Sequence, residues 1–130
     1  MKLAPSHAAA AREERTQLLR RHRANAQVLR SASPSVEQLR LDMRFEGTTP
    51  NIPTPQAHVL YPAARAFFTF PCPYADCDGQ FDLSAAVNAL LANRSPWAEG
   101  VLECPGHRAS RQPCLLRLLH KITATYRQGS

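Results

Sequence analysis

The sequence predicts an α+β fold: a small antiparallel sheet with a structural metal site, one short helix between two cysteine pairs, and a basic helix at the N-terminus. Three observations carry this. Leu39, Leu41, Met43 and Phe45 alternate with Arg40, Asp42 and Arg44, the period of a half-buried strand. All four cysteines fall in one turn-rich stretch, as Cys72 with Cys77 and Cys104 with Cys114. Between the pairs, Leu83, Ala86, Val87, Leu90 and Leu91 share one helical face. A chain of 130 residues supports one modest core. It divides into a basic helical arm and linker over residues 1–35 and a metal-stabilised α+β domain over residues 36–130.

Residues 7–30 read as a helix capped by Ser6. Alanines come first, Glu13 and Glu14 lie early, and arginines crowd the C-terminal half, in the sense of the helix dipole. Its apolar stripe of Leu18, Leu19, Ala26 and Leu29 is narrow, and Ser31-Ala32-Ser33-Pro34-Ser35 ends it. After the strand at 39–45, the prolines between Gly47 and Pro55 forbid a central strand and give a surface loop. Residues 57–71 prefer extended backbone, with Ala64, Ala66, Phe68 and Phe70 alternating into Cys72.

Asp82 or Ser84 caps the helix between the cysteine pairs, the segment from Asn93 to Gly100 closes it, and Val101-Leu102-Glu103 is a short strand ending at Cys104. Residues 114–126 fit both periods. Strand is the better match, because Leu116, Leu118, His120, Ile122, Ala124 and Tyr126 share a face and Ile122-Thr123-Ala124-Thr125-Tyr126 is rich in β-formers. His120 then reads as a satisfied core histidine. Asp76, Asp78, Gly79 and Asp82 look like part of a calcium loop, yet the glycine falls too early and Val87 stands at the twelfth position. Asp78-Gly79 is therefore expected to be a turn.

A tetrahedral zinc site brings four soft or borderline ligands together from two places, cross-linking a small fold. Cys72 and Cys77 flank a tight turn, while Cys104 ends one strand and Cys114 begins the next, so both pairs of thiolates can converge on one Zn2+. His107, in Cys104-Pro105-Gly106-His107, is the alternative fourth ligand. On these residues, segment 70–126 resembles a zinc ribbon or related zinc-knuckle fold in a small bacterial protein. Those families usually separate each pair by two residues, whereas here the separations are four and nine.

The motifs of zinc hydrolases and deaminases, of phosphate loops and of serine nucleophile elbows are missing from the sequence. The expectation is a structural metal in a protein that is not an enzyme. The N-terminus meets charged residues before any apolar core of a signal peptide develops, and no apolar run approaches the roughly 20 residues that span a bilayer. A cytoplasmic protein without a membrane partner is expected, in a compartment where thiols stay reduced.

Residues 1–31 carry seven cationic side chains against Glu13 and Glu14, so they hold +5 of the formal net charge of +6. Arg20, Arg21 and Arg23 on the helix, with Arg108 and Arg111 in the loop between Cys104 and Cys114, are the candidate contacts to phosphates of RNA or DNA. Fourteen arginines against two lysines also match GC-rich bacterial usage, so a solvated helix face is an equal reading. Phe67, Phe68 and Phe70 lie where core residues are expected, which leaves no aromatic stacking surface. A protein-interaction or assembly module is the alternative function, docking through Leu18, Leu19 and Leu29 with Trp97 as anchor. A thiol redox sensor acting through Cys72 and Cys77 is the third.

Overall fold

The computed structural model describes residues 7–47 and 55–128. Its elements are α1 (His7–Asn25), α2 (Leu29–Ala32), β1 (Val36–Glu46), β2 (Gln56–Leu60), β3 (Thr69–Pro71), β4 (Gln80–Asp82), α3 (Ser84–Ala92), β5 (Trp97–Glu103) and β6 (Arg117–Tyr126). The expected cap Ser6 and most of the proline-rich loop, residues 48–54, lie outside the described residues. Among the described residues, no helix is long and apolar enough to cross a membrane.

The alternation read at 39–45 is the centre of β1, which extends to Val36 and Glu46 and pairs antiparallel with both β2 and β6. The order is β2-β1-β6-β5, with β3 and β4 forming a separate two-stranded hairpin. Residues paired across an antiparallel ladder share a face. Leu39 opposite Ala124, Leu41 opposite Ile122 and Phe45 opposite Leu118 therefore line one inner surface, and all six are buried. Leu29, Phe68, Phe81, Leu83, Val87 and Leu90 complete the core against it, with the Phe45 and Phe81 rings 5.7 Å apart. The segment 114–126 is a strand over Arg117–Tyr126, and its burial alternates as the period-two reading requires.

Three elements differ from expectation. The helix does not run to residue 30: it ends at Asn25, and a single turn, Leu29–Ala32, follows. No proline or glycine marks this break. It is made by tertiary hydrogen bonds, in which Leu29 N–H donates to the Ala64 carbonyl, Arg30 N–H to Pro62 and Ala66 N–H to Gln27, and these seat Leu29 in the core. The stretch 57–71 is two short strands around a turn, not one extended segment. β5 starts at Trp97, four residues before the expected strand, so Gly100 is mid-strand and Trp97 sits on the outer face, 54% exposed, with Lys121 Nζ 5.3 Å from its ring centre.

The N-cap position of α3 is Leu83, neither of the two expected residues, and Asp82, one position earlier, accepts the Ser84 N–H at 2.9 Å. At the other end of α3, Ser95 N–H donates to Leu90 and Arg94 N–H to Leu91, with Arg94 at φ 48°. This closes the helix by a Schellman turn.

His120 is buried beneath Gly100, where a Cβ would come 2.8 Å from the imidazole Cε1 and Nε2. It is not the satisfied core histidine that was expected, because its Nδ1 is buried with no hydrogen-bond partner. Burial lowers its pKa from the usual 6.5. Above 6.5 the ring is neutral in both folded and unfolded chains. As pH falls below 6.5 the unfolded chain takes up a proton that the folded one refuses, and stability declines by up to about 1.4 kcal/mol per pH unit. The urea midpoint is accordingly expected to drop less between pH 7.5 and pH 5.5 in His120→Leu than in the parent protein; equal drops would show that this ring does not sense pH.

Candidate metal centre

The four cysteines lie where two hairpins end. Cys72 directly follows β3 and Gly79 directly precedes β4, so the first cysteine turn is the connection of the β3–β4 hairpin. Cys104 directly follows β5, and Cys114 stands just before β6. Cys104 N–H donates to the Leu116 carbonyl and Cys114 N–H to Gly106, so the β5–β6 ladder continues past its strands and brings the two thiols together despite nine intervening residues.

All four Sγ atoms lie within 4.8 Å of one another, and all four residues are buried. Two contacts join the turns: Cys72 Sγ is 3.9 Å from Cys114 Sγ, and Cys77 Sγ is 3.6 Å from Cys104 Sγ. A tetrahedral ion with metal–sulfur bonds of about 2.3 Å requires sulfurs about 3.8 Å apart. The set has the size and the donors of a site for one metal ion. His107 is not in it: the residue is exposed, and its backbone N–H donates to Asp78 Oδ1 at 2.7 Å.

Two glycines make the convergence sterically feasible. Gly79 N–H points to Cys77 Sγ at 3.3 Å and Gly106 N–H to Cys104 Sγ at 3.4 Å, the same Cys-x-Gly turn used twice. The turns pack backbone against backbone. A Cβ on Gly106 would fall on the nitrogen and Cα of Gly79, and one on Gly79 would collide with Cys104 Sγ and the Gly106 backbone. Both N–H groups favour the ionised form of the sulfur they address.

The acidic residues of the first turn brace the second. Asp76 accepts from Arg108 Nε at 2.7 Å and from the Ala109 N–H at 3.1 Å. Burial works to raise the Asp76 carboxyl, but these hydrogen bonds and the guanidinium charge outweigh it and hold it below its usual value. Arg108 also lies over the Tyr74 ring, 3.8 Å from its centre. The Asp78 pair with His107 completes the clasp, its N–H donating back to the His107 carbonyl at 3.3 Å.

The thiols do not ionise alike. Hydrogen bonding from the Cys72 thiol above all, aided by the Gly106 N–H and the Cys77 thiol and opposed by burial, holds Cys104 down to about 5. The bond to Cys104, and then burial, raise Cys72. Burial pushes Cys77 up to about 12 and raises Cys114 as well. Thiols alone in this pocket thus share one negative charge, whereas a divalent cation would let all four ionise.

The helix α1 reaches the centre. Arg12 donates to the Cys72 carbonyl through Nε at 3.4 Å and Nη2 at 3.3 Å, and Arg15 Nη1 donates to Gln80 Oε1 at 3.3 Å. Leu19 is buried, while Leu18 is 43% exposed. Of the arginines singled out in the sequence, Arg20, Arg21 and Arg23 are exposed on α1 and Arg111 is exposed in the loop, but Arg108 is engaged by Asp76 and Tyr74. Gly79, Gly106, Asp76, Asp78 and Arg12 were missed as builders of the site. The repeated Cys77-Asp78-Gly79 and Cys104-Pro105-Gly106 was the signal that could have found the glycines.

No family model, curated protein or solved structure matches the chain.

Proposed function

We propose that the protein is a zinc-binding module without catalytic activity, which contacts nucleic-acid phosphates through its arginines. The observation that carries the metal half is the sulfur cluster, whose atoms all lie within 4.8 Å of one another and in which two edges that join the turns, 3.6 and 3.9 Å, bracket the edge of a zinc–thiolate tetrahedron. Zinc is the preferred ion because four thiolates in a closed set are the donors of structural zinc sites. Cys72, Cys77, Cys104 and Cys114 would fill all four positions, leaving none for a water or substrate, and the metal would supply cross-linking only. This supports a structural role over a catalytic one.

The nucleic-acid half rests on charge placement. Arg20, Arg21 and Arg23 occupy exposed positions on a helix that is tied at Arg12 to the metal turn, so the zinc would fix the surface that presents them. The test is fluorescence anisotropy with labelled RNA and DNA across a salt series. Each phosphate contact contributes roughly −0.7 to −0.9 to the slope of log K against log salt. Arg20→Gln with Arg21→Gln is expected to weaken binding and to flatten that slope by about 1.5. An unchanged slope, or no binding at low salt, would contradict the reading.

One observation favours a second reading, a protein-interaction module: Trp97 and Val101 are about half exposed on the outer face of β5, next to Leu119 of β6. Association through that face would vary little with salt and would be lost in Trp97→Ala. A redox sensor is disfavoured by burial, since Cys72 and Cys77 are 0% exposed. Mild peroxide is expected to leave the metal bound and the thiols protected; metal release with a Cys72–Cys77 disulfide would restore the sensor.

A further inference from the structure

A cavity of about 430 Å³ opens between the C-terminal half of α1 and the edge strand β2. Its walls combine three chemistries. Phe67 and Phe70, half-buried rather than wholly in the core as the sequence implied, supply aromatic surface. Arg23 and Arg65 supply two guanidinium groups, and no acidic residue lines the cavity among those described. His58 stands on the inner face of β2 with its ring 4.8 Å from that of Phe70 and its Nε2 buried without a hydrogen-bond partner.

These groups do not satisfy one another. Arg23 lies over Phe67, 5.5 Å from the ring centre, a stacking contact that leaves its N–H edge for an anion. Arg65 uses Nη1 on the Ala26 carbonyl at 2.8 Å, one of the five N–H groups of a guanidinium. Burial, and then the charge of Arg23, lower the pKa of His58 from the usual 6.5, so the imidazole is neutral near pH 7. The neutral ring adds a flat, uncharged surface beside Phe70, which suits a planar ring better than a phosphate.

We propose that this cavity is a nucleotide subsite, taking one unstacked base of a single-stranded nucleic acid while the adjoining phosphate meets Arg23 and Arg65. The proposal rests on the nucleic-acid reading above and narrows it to single strands. A base inside a duplex keeps its faces covered by its neighbours, so only an unpaired strand can put one against Phe67, Phe70 and His58. The volume lies in the range of small-ligand pockets. The helix continues the track: Arg20 is one turn before Arg23 on the same side of α1, where it meets a further phosphate of the same strand.

The experiment compares a short fluorescein-labelled oligothymidylate with a duplex of equal length, on the zinc-loaded full chain, alongside an NMR titration of the His58 ring signals with thymidine monophosphate. The single strand is expected to bind more tightly than the duplex. Phe67→Leu should weaken the single strand on the order of tenfold, leaving duplex binding and the salt slope unchanged. Thymidine monophosphate should shift the His58 signals.

Metal content and melting temperature show whether Phe67→Leu is folded. If it is not, Arg65→Gln, at an exposed position, carries the same test, with an expected loss for the single strand and for the mononucleotide. Unchanged single-strand affinity in these variants, with unmoved His58 signals, overturns the subsite; salt-dependent binding that Arg20→Gln and Arg21→Gln weaken would then leave the broader reading standing. Shifted His58 signals without oligonucleotide binding give the converse: a nucleotide pocket in a protein that does not hold nucleic acid.

Discussion

A strong chelator is expected to abolish the cooperative unfolding transition of this protein. The four cysteines belong to the same buried cluster as Phe81, Leu116 and Leu118, so the metal site is a wall of the core and not an attachment to it. Without a cation, one thiolate centred on Cys104 remains in that wall among three thiols whose ionisation is disfavoured. Structural zinc contributes roughly 10–16 kcal/mol in finger peptides, against a stability of about 5–15 kcal/mol for a whole domain. Removing it therefore leaves little or nothing. The β3–β4 hairpin, with only three paired positions, should be lost first. It carries the Cys72 carbonyl and Gln80 that hold Arg12 and Arg15, so α1 should come away with it. Circular dichroism melting with and without chelator, beside limited proteolysis within α1, checks both steps. A sharp melt retained in chelator, with α1 still protected, would mean that apolar packing alone holds the fold.

Gly106→Ala is the second large effect. The added methyl would fall on the Gly79 backbone, and backbone cannot rotate aside as a side chain can. The two turns must separate, which stretches the 3.6 Å and 3.9 Å sulfur contacts and weakens the Gly106 N–H to Cys104 Sγ hydrogen bond. Overpacking typically costs about 1–3 kcal/mol, and this site belongs at the upper end. Loss of groups that support metal ligands lowers affinity by about 10- to 100-fold, so zinc affinity should fall by that factor as well. Gly47→Ala is the control. Its methyl would meet Leu116 Cδ1 at 2.7 Å and the Tyr74 hydroxyl at 2.8 Å, both side-chain ends, and it should destabilise the protein without the same loss of zinc. Competition with a chromogenic chelator measures the affinities; equal affinity for Gly106→Ala and the parent would show that the glycine contact does not set the sulfur spacing.

What the sequence disclosed depended on how much pattern each element had room to express. β1 and β6, with 11 and 10 residues, carry several full periods of alternation, and both were legible from it. The cysteine pairs were legible because thiols are few and chemically distinctive. β3 and β4, at three residues each, are too short to show any period, so β4 was not anticipated at all.

β5 was truncated in the reading because its inner face carries Ala98 and Gly100, small residues required where His120 rises beneath the strand, and their hydrophobic signal is weak. The helix break after Asn25 is written in the loop from Pro62 to Ala66, whose backbone groups bond to Gln27, Leu29 and Arg30. No local code marks it. At the site, the charge of Arg108 was visible in the sequence, but its pairing with Asp76, 32 positions away, was not.

The sulfur cluster is the premise on which the rest depends, and native mass spectrometry of the purified protein tests it most directly. The spectrum should show one zinc per chain, absent in Cys114→Ser and retained in His107→Ala. A folded parent protein carrying no metal, or zinc that survives Cys114→Ser and disappears with His107→Ala, would contradict the four-cysteine centre.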